Sequence, residues 1–396
     1  MRELWLFTRK YPEGPGETFL DHAMPVWAEV FSKVVVVPMF RGAGGASLPE
    51  GVDLLRPWDR DHEHSTIGAR AMVMRAGEVF RTVSAHGGSS AFAERLSHAR
   101  QLLWKADVLR RDLMPRYDPS RVALLTAWME DWTNVLALLK RRDPRIRFAS
   151  LAHGSDLYVE RRPDGVMPYR AMQMEAVDRV CCISEHGARY LREQWPAQAG
   201  KVVATHLGTT DHGLAPWEPD AVLRIASCAY LRKPKRITLI AQALQQVKRH
   251  VRWTHFGDGP DRAELDALVR ELPPNINVDL KGDVDQASLI AWYMTHPVDL
   301  LLHLSGHEGV PLALMEASSF GIPIWANAVG GVSEVLRPEA GLLLPASIGA
   351  EALAALLDSD APAAWCDTRR RHGVRAHWEA HFDARRNFRH LAEMLP

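Results

Sequence analysis

The sequence has few cysteines. Only four occur in 396 residues, and two of them, Cys181 and Cys182, are adjacent in an apolar run. This arrangement provides neither a disulfide framework nor the CxxC spacing of a metal site. A reducing cytoplasm is the compartment that fits such cysteine usage best. We expect both adjacent thiols to be buried by packing.

The sequence also lacks a net charge. It contains 48 basic and 48 acidic residues, so the formal net charge is zero. A protein that binds nucleic-acid phosphates normally carries a basic excess, so we expect no nucleic-acid partner.

Long hydrophobic runs are missing as well. No stretch approaches the roughly eighteen apolar residues of a membrane-spanning helix. The first residues, Met1-Arg2-Glu3 followed by LWLFT, are too short an apolar run for a signal peptide. We therefore expect a cytoplasmic protein.

The length of the chain predicts two domains, because 396 residues exceed one ordinary core. Hydrophobic residues make up 47% and charged residues 24%, as in a globular enzyme. Strands and helices alternate in two blocks, which predicts an α/β protein with two doubly wound parallel sheets. The predicted strands are 4–8, 33–39, 122–127, 147–152, 177–183 and 202–206 in the first block, then 223–229, 253–256, 276–280, 298–304, 322–327 and 340–344.

The predicted division follows from this alternation. Residues 1–212 form the first domain and residues 223–375 the second. Residues 213–222, with two prolines and no periodicity, are predicted to be the linker. Residues 376–396 contain a last helix that we expect to return to the first domain.

The stretch from Asp299 to Glu334 organises the second block. A buried strand leads into a Ser-Gly-His-Glu-Gly turn, and Pro311 marks the start of a helix. The first amides of a helix lack internal partners, so such a turn is an anion site. Glu308 in the turn and Glu316 on the helix can reach two parts of one anchored ligand. Ligands bind beyond the carboxyl ends of parallel strands, so Glu308 and His153 are predicted to face one central cleft.

Two glycine-rich segments follow the first two strands. In Tyr11–Glu17, glycine allows the backbone to approach a ligand, and a plain tight turn is the alternative. Residues 41–46 superficially suggest a dinucleotide fingerprint, but the GxGxxG spacing is absent. We interpret 41–46 as a loop, which argues against a Rossmann oxidoreductase.

Residues 65–114 have a helical pattern in which basic and apolar residues interleave. The part from Arg100 to Arg116 can be a basic face that rests on an anionic membrane. A core-facing stripe with a solvated back is the alternative. Elsewhere, Ser184 is predicted to cap a helix, and His255 and His303 to lie in the core.

The central Glu-x7-Glu element is followed by the segment GIPIWANAVGGVSE. Other characteristic segments occur in order along nearly the whole chain, namely YPEGPGETFL, LAHGSDLYVERR, CCISEHGARYL, HLGTTDHG, ASCAYLRKPKR and HFGDGPDRAEL. Together these segments resemble the exopolysaccharide subgroup of family-4 glycosyltransferases. The resemblance implies a GT-B fold, a nucleotide-sugar donor linked to UDP or GDP, and transfer with retention at the anomeric carbon.

The resemblance also implies roles for single residues at the donor site. Lys235 matches the phosphate-binding lysine, and the amides of Gly309, Val310, Pro311 and Leu312 are expected to share that charge. Glu316 matches the residue that accepts hydrogen bonds from the ribose hydroxyls. Glu308 matches the residue at the donor sugar, and His307 beside it can also reach the site.

Other matching positions lie in the first block. His153, in HGSD, matches the histidine that approaches the donor sugar, and Asp156 is a weaker candidate that can simply be a helix cap. Gly14 and Gly16 are expected to let the first loop approach the diphosphate. The sequence departs from the family pattern at Tyr230, where a second phosphate-binding arginine is usual, and Arg232 is the candidate replacement.

These implications predict a glycosyltransferase in exopolysaccharide, capsule or O-antigen assembly, with a lipid-linked oligosaccharide acceptor. We expect it at the cytoplasmic face of the membrane, with peripheral contact to anionic lipid. No DxD element has a convincing position, so we expect no metal and no other cofactor. The alternatives are a sugar-nucleotide 2-epimerase and a catalytically inactive GT-B partner subunit, the second of which rests on Tyr230.

Overall fold

The structure is a computed structural model that describes residues 2–14, 16–42, 44, 48–88, 90–162 and 164–396. The chain divides into two compact units. The first contains Met1–His206 and Phe388–Pro396, and the second contains Leu207–Asn387.

The described part of the first unit contains a seven-stranded parallel sheet in the order β3-β2-β1-β4-β5-β6-β7. Every residue of β4 and β5 is buried, as expected when helices cover both faces of a parallel sheet. The strands are β1 (Glu3–Thr8), β2 (Lys33–Pro38), β3 (Val52–Leu54), β4 (Val122–Thr126), β5 (Phe148–Ala152), β6 (Arg179–Cys182) and β7 (Val202–Ala204). The helices are α1 (Phe19–Val30), α2 (Ala69–Met74), α3 (Ala76–Ser84), α4 (Phe92–Asp112), α5 (Asp131–Arg142), α6 (Arg170–Ala176) and α7 (Glu185–Gln194).

The second unit, which is described throughout, contains a six-stranded parallel sheet in the order β10-β9-β8-β11-β12-β13. Its strands are β8 (Leu223–Cys228), β9 (Val251–Phe256), β10 (Ile276–Leu280), β11 (Leu300–His303), β12 (Ile324–Asn327) and β13 (Gly341–Leu344). Its helices are α8 (Ile237–Leu244), α9 (Arg262–Arg270), α10 (Gln286–Thr295), α11 (Leu312–Ser319), α12 (Val332–Val335), α13 (Ala350–Asp358), α14 (Ala361–Trp365) and α15 (Thr368–His381). The last helix, α16 (Ala384–Glu393), begins in this unit and ends in the first.

Two parallel-sheet Rossmann-like units confirm the predicted fold class. The N-terminal cap of α7 is also confirmed, because the Ser184 hydroxyl accepts a hydrogen bond from the Gly187 amide at 2.9 Å. The sequence missed β3 because this strand has three residues, none of them fully buried, and pairs only with β2. The helical segment 65–114 is divided into α2, α3 and α4.

The compact units differ from the predicted domain bounds at two places. Residues 213–222, predicted as a linker, lie in the second unit, where the Ala215 amide donates to the Phe320 carbonyl. The Trp217 indole donates to the Asp299 carboxylate at 2.6 Å. The chain re-enters the first unit at Phe388, whose ring lies 5.4 Å from that of Trp27. Sequence periodicity does not report such contacts between distant residues.

Candidate functional site

Glu308 lies in the turn between β11 and α11 and is 8% exposed. Two donors reach the same oxygen of its carboxylate. The Lys235 Nζ atom lies 2.5 Å from Oε1, and the His303 Nε2 atom lies 2.9 Å from it. His303 ends β11, while Lys235 ends a short 3₁₀ helix, Lys233–Lys235, that follows β8. Both donors therefore stand just beyond the carboxyl ends of neighbouring strands, as the topology of a parallel sheet leads us to expect.

These donors determine the ionisation state of Glu308. Burial by itself raises the pKa of the Glu308 carboxyl, but the His303 hydrogen bond and the Lys235 charge lower this pKa to about 2. The carboxylate is thus ionised at neutral pH. An ionised carboxylate only accepts hydrogen bonds, so His303 must carry a proton on Nε2.

Backbone contacts hold the Glu308 turn in place. The Gly306 amide donates to the Pro234 carbonyl at 2.7 Å, which ties this turn to the segment that carries Lys235. Gly330 passes close to the turn with a φ of +52°, and a Cβ atom there would lie 2.1 Å from the Glu308 carbonyl oxygen. Glycine is therefore required at Gly330 by both its conformation and the close approach.

Glu316 is 3% exposed on α11, and its Oε1 accepts a hydrogen bond of 2.5 Å from Gln286 Nε2 at the start of α10. Burial, together with the Glu316 charge, raises the pKa of the Cys228 thiol to about 12. The same two causes, with Cys228, raise the pKa of Tyr293 well above its ordinary value. Glu316 therefore lies in a largely desolvated environment.

The start of α11 provides the other groups predicted at the donor site. The helix begins at Leu312, after Pro311. Pro311 has no amide hydrogen, so the expectation that it donates to a phosphate was wrong, and only Gly309, Val310 and Leu312 can do so.

The remaining predicted donor-site residues of the second unit lie at the surface. His307 and Arg232 are exposed. Tyr230, at the position where the family pattern has arginine, is 56% exposed. The Arg232 amide donates to the Tyr230 carbonyl at 2.9 Å, so the two residues share one turn.

His153 lies in the first unit, immediately after β5, and is 7% exposed. Its Nε2 atom lies 3.0 Å from the Ala127 carbonyl oxygen, which fixes the proton on Nε2. The imidazole lies 4.3 Å from the Trp128 ring and 4.8 Å from the Phe19 ring, measured between ring centroids. Burial lowers the pKa of His153 to about 4, although the Ala127 hydrogen bond raises it slightly. The imidazole is therefore neutral at pH 7.

Asp156 is fully buried and supports the loop that carries His153. Its two oxygens accept hydrogen bonds from the His153 amide at 2.5 Å and the Met129 amide at 2.7 Å. Burial and the nearby Glu130 raise the pKa of Asp156 to about 7, while the two amides and Arg170 act against this rise. These contacts make Asp156 a positioning residue.

The glycine-rich loop after β1 is organised by Glu17. Its carboxylate accepts from the amides of Arg9, Lys10 and Tyr11 at 2.7–2.9 Å and from the Trp128 indole at 2.8 Å. Of the two predicted glycines, Gly16 has a φ of +102°, and a Cβ at Gly14 would lie 2.8 Å from Lys10 Cβ. Glycine is therefore favoured at Gly16 by its backbone conformation and at Gly14 by the lack of space for a side chain.

The segment from Arg100 to Arg116, predicted as a basic face, has several of its side chains buried in the first unit. Leu102, Leu103, Leu109 and Leu113 are buried in the first unit's core, as the core-facing alternative predicts. Lys105 is 5% exposed, and the Arg100 guanidinium donates to the Ile67 carbonyl. The large apolar side chains that are exposed in this region lie on α2, α3 and α4 instead: Val73, Met74, Phe80 and Phe92.

Sequence reasoning missed three side chains at these sites, namely His303, Gln286 and Glu17. His303 was assigned to the core, and it is buried as predicted, but its ring also contacts Glu308. Its position at the end of a strand, five residues before Glu308, was the available signal. Nothing in the sequence pairs Gln286 with Glu316.

Within the described residues, no group of three or more His, Cys, Asp or Glu side chains is arranged to hold a metal ion. The helices in the same residues are too short or too polar to cross a bilayer.

Comparisons with known proteins agree with this architecture. Residues 219–359 match the family model described as glycosyl transferases group 1. A protein of Escherichia coli (strain K12) that bears the provisional name colanic acid biosynthesis glycosyltransferase WcaL is 26% identical over 212 residues, 51% of this chain and 52% of that protein. The amylovoran biosynthesis glycosyltransferase AmsK of Erwinia amylovora is 28% identical over 142 residues, 34% of this chain and 35% of that protein.

The chain thus spans about half, or less, of the length of the curated relatives it matches. The structural similarity to solved proteins covers more of the chain than the sequence similarity does. The crystal structure of Anabaena Alr3699/HepE in complex with UDP superposes with a TM-score of 0.68 over 99% of both chains, at 14% identity. The GT-B fold is confirmed, and so is the resemblance of this chain to the glycosyltransferases of exopolysaccharide assembly.

Proposed function

We propose that this protein is a retaining glycosyltransferase that moves a sugar from a nucleotide-sugar donor to a glycan acceptor in exopolysaccharide, capsule or O-antigen assembly. The observation that carries the proposal is the contact between Lys235 and Glu308. It places a cation and an ionised carboxylate side by side within the segment that matches the family model.

Lys235 can stabilise the negative charge of the leaving group. Cleavage of the donor releases a nucleoside diphosphate, on which negative charge develops in the transition state. Lys235 and the amides of Gly309, Val310 and Leu312 can stabilise that charge. The donor we propose is UDP- or GDP-linked, and the UDP complex of a protein with the same fold supports the first of these.

Glu316 suits the ribose. A carboxylate has acceptor sites on two oxygens, which match the two hydroxyls of a vicinal diol. Gln286 donates to Oε1 and so fixes the orientation of the carboxylate. A buried, oriented acceptor loses less entropy on binding than a mobile one.

Glu308 suits the donor sugar. Because its pKa is about 2, it carries a full negative charge at neutral pH. That charge can hold the sugar's hydroxyls and favour the positive character that grows at the anomeric carbon. Retention of configuration is part of the proposal and follows from the family resemblance.

We propose that His153 contacts a sugar hydroxyl. The Nε2 proton points to the Ala127 carbonyl, and the ring is neutral at pH 7. The Nδ1 atom is therefore a hydrogen-bond acceptor, suited to a sugar hydroxyl. We propose that His153 contributes to the rate of sugar transfer and not to the affinity for the nucleotide.

Metal independence is a further part of the proposal. It rests on Lys235 and the helix amides as the groups that neutralise the diphosphate. Activity that is unchanged by EDTA supports this part, whereas activity that EDTA abolishes and Mg²⁺ or Mn²⁺ restores contradicts it.

The acceptor we propose is a lipid-linked oligosaccharide at the cytoplasmic face of the cell membrane. Peripheral contact is supported by the exposed side chains of Val73, Met74, Phe80 and Phe92, which lie on helices that also expose Arg70 and Arg81. Co-sedimentation with vesicles containing phosphatidylglycerol tests this contact. Absence of binding at low salt, or equal binding by a variant with Phe80 and Phe92 changed to serine, contradicts it.

A thermal-shift screen with UDP, GDP, ADP and their sugar conjugates tests the donor site, because a ligand of the native state raises the melting temperature. We expect one base to give a clear shift, which Glu316→Ala abolishes. Glu339→Ala, at an exposed position of the same unit, is the matched control and should keep the shift. No shift with any nucleotide would contradict the proposal and favour an inactive partner subunit, for which the exposed Tyr230 is the first suspect.

A further inference from the structure

A cavity of about 620 Å³ lies in the first unit, beside the loop after β1. Its lining includes the cationic side chains of Arg9, Lys10 and Arg41 and the aromatic rings of Phe40 and Trp128. This volume is sufficient for one or two sugar rings, in the usual range of ligand pockets. Gly16, which was predicted to approach the diphosphate, also lines the cavity, whereas the predicted donor-site residues of the second unit do not.

The carboxylates that line the cavity are already engaged in hydrogen bonds. Glu17 and Glu63 also line it, but the four acceptor positions of Glu17 are occupied by three amides and the Trp128 indole. Glu63 is 8% exposed and accepts a hydrogen bond from the Arg41 amide. Glu17 therefore has no acceptor position left for a ligand, and one oxygen of Glu63 is engaged by the Arg41 amide.

Two of the three cations have no carboxylate partner among the described residues. The Arg9 guanidinium is paired, 3.3 Å from Glu130. Within the described part of the chain, neither the Lys10 ammonium nor the Arg41 guanidinium forms an ion pair, and the buried Arg41 Nε atom has no hydrogen-bond partner. Lys105 adds a further positive charge behind the Phe40 ring, with its Nζ atom 4.9 Å from the ring centroid.

We propose that this cavity binds an anionic sugar unit of the acceptor, with Lys10 and Arg41 holding its carboxylate or phosphate and Phe40 and Trp128 providing faces for its ring. The Trp128 ring, 4.3 Å from the His153 ring, connects the cavity to the histidine that we assign to turnover. A unit bound there brings its neighbouring hydroxyl towards His153. This inference rests on the proposed function, since it names the substrate class of the acceptor side.

Three hexoses that differ only at C6 make a matched set of probes: glucose, glucuronic acid and glucose 6-phosphate. We expect the full chain to bind both anionic hexoses at least about tenfold more tightly than glucose, as one charge-assisted hydrogen bond implies. Calorimetric titration measures the affinities, and 0.5 M NaCl should reduce the difference. Binding of glucuronic acid alone would show that the cavity recognises a sugar carboxylate. Binding of glucose 6-phosphate alone would show that it recognises a sugar phosphate. Either result supports the proposal.

The double variant Lys10→Gln/Arg41→Gln should lose this preference for anions. Arg110→Gln, at an exposed arginine of α4 away from the cavity lining, is the matched control and should retain it. Lys10→Gln alone, at an exposed position, serves if the double variant does not fold. Equal affinity for all three hexoses, or an anion preference that survives in the Lys10 and Arg41 variants, would overturn the proposal.

Glu316→Ala separates this inference from the proposed function. We expect Glu316→Ala to keep the affinity for anionic hexoses and to lose the nucleotide shift. Loss of hexose binding in Glu316→Ala would place the hexoses in the donor site and overturn the inference. A nucleotide shift without any hexose preference would reject the inference and leave the proposed donor site intact.

Discussion

Replacement of Lys235 by methionine tests both the electrostatics of the site and its function. Methionine is similar in length but carries no charge, and it leaves Glu308 buried with the His303 donor. We expect the pKa of Glu308 to rise, because the charge and the hydrogen bond of Lys235, which both lower this pKa, are removed.

The structure allows the size of the effect to be worked out. The pKa of Glu308 is lowered from 4.5 to about 2. At about 1.4 kcal/mol for each pKa unit, the depression corresponds to about 3 kcal/mol of folding free energy. Lys235 and His303 share this amount, so Lys235→Met should cost about 1–2 kcal/mol at pH 7.

The pH dependence has a definite sign. The folded-state pKa of Glu308 lies below its unfolded value, so the contribution is complete above about pH 4.5 and is lost as the pH falls towards 2. The difference between wild type and Lys235→Met should therefore shrink from about 1–2 kcal/mol at pH 7 to roughly two thirds of that value at pH 3, because a carboxyl with a pKa of about 2 is still mostly ionised there.

Urea unfolding at pH 7, 5 and 3 measures this difference. Pulsed hydrogen exchange of peptides that cover β11 assigns the free energy to the second unit. Lys235→Arg keeps the charge and should lie close to wild type, and Lys233→Met, at an exposed lysine two residues away, is the control for the lost charge. A difference for Lys235→Met that stays the same at pH 7 and pH 3 would refute the reasoning, because it would then come from packing alone.

The other predictions concern the remaining parts of the two sites. Glu308→Gln should lower turnover at least about a hundredfold without weakening UDP or GDP binding, since it removes the group that competes for Lys235; weaker nucleotide binding would contradict this. His153→Ala should likewise lower turnover with little change in nucleotide affinity, as activity assays and titration can establish. Gly330→Ala should lower both the urea midpoint and the nucleotide affinity, because its Cβ would lie 2.1 Å from a carbonyl oxygen, whereas Gly200→Ala meets nothing within 4 Å and should be nearly neutral. Glu17→Gln should cost about 1–3 kcal/mol of folding free energy, because a side-chain amide cannot accept all four hydrogen bonds.

The sequence predicted the sheets because their strands are continuous apolar runs. β2 is KVVVVP and β4 is VALLT, and such runs are typical of strands covered on both faces. The turn that carries Glu308 was predictable for the same reason, since it follows a run of this kind. β3 offered no such run, and three residues at a sheet edge leave no periodicity to detect.

The contacts that tune the site were not predictable from spacing. The contact from His303 to Glu308 spans five residues, but only the turn geometry decides whether the ring faces the carboxylate or the core. Gln286 meets Glu316 across thirty residues, and Glu17 meets the Trp128 indole across more than a hundred. These pairs depend on tertiary packing, which local propensity does not encode.

The shared oxygen of Glu308 has a consequence for how a donor would bind. Lys235 and His303 both donate to Oε1, so the carboxylate has a second anchor when Lys235 turns to another anion. A diphosphate that takes Lys235 must replace an existing contact of 2.5 Å, which lowers the net gain from that lysine. His303 would meanwhile keep the carboxylate in position and ionised. One lysine can therefore serve the empty site and the occupied site in turn, provided that His303 holds Glu308 in both.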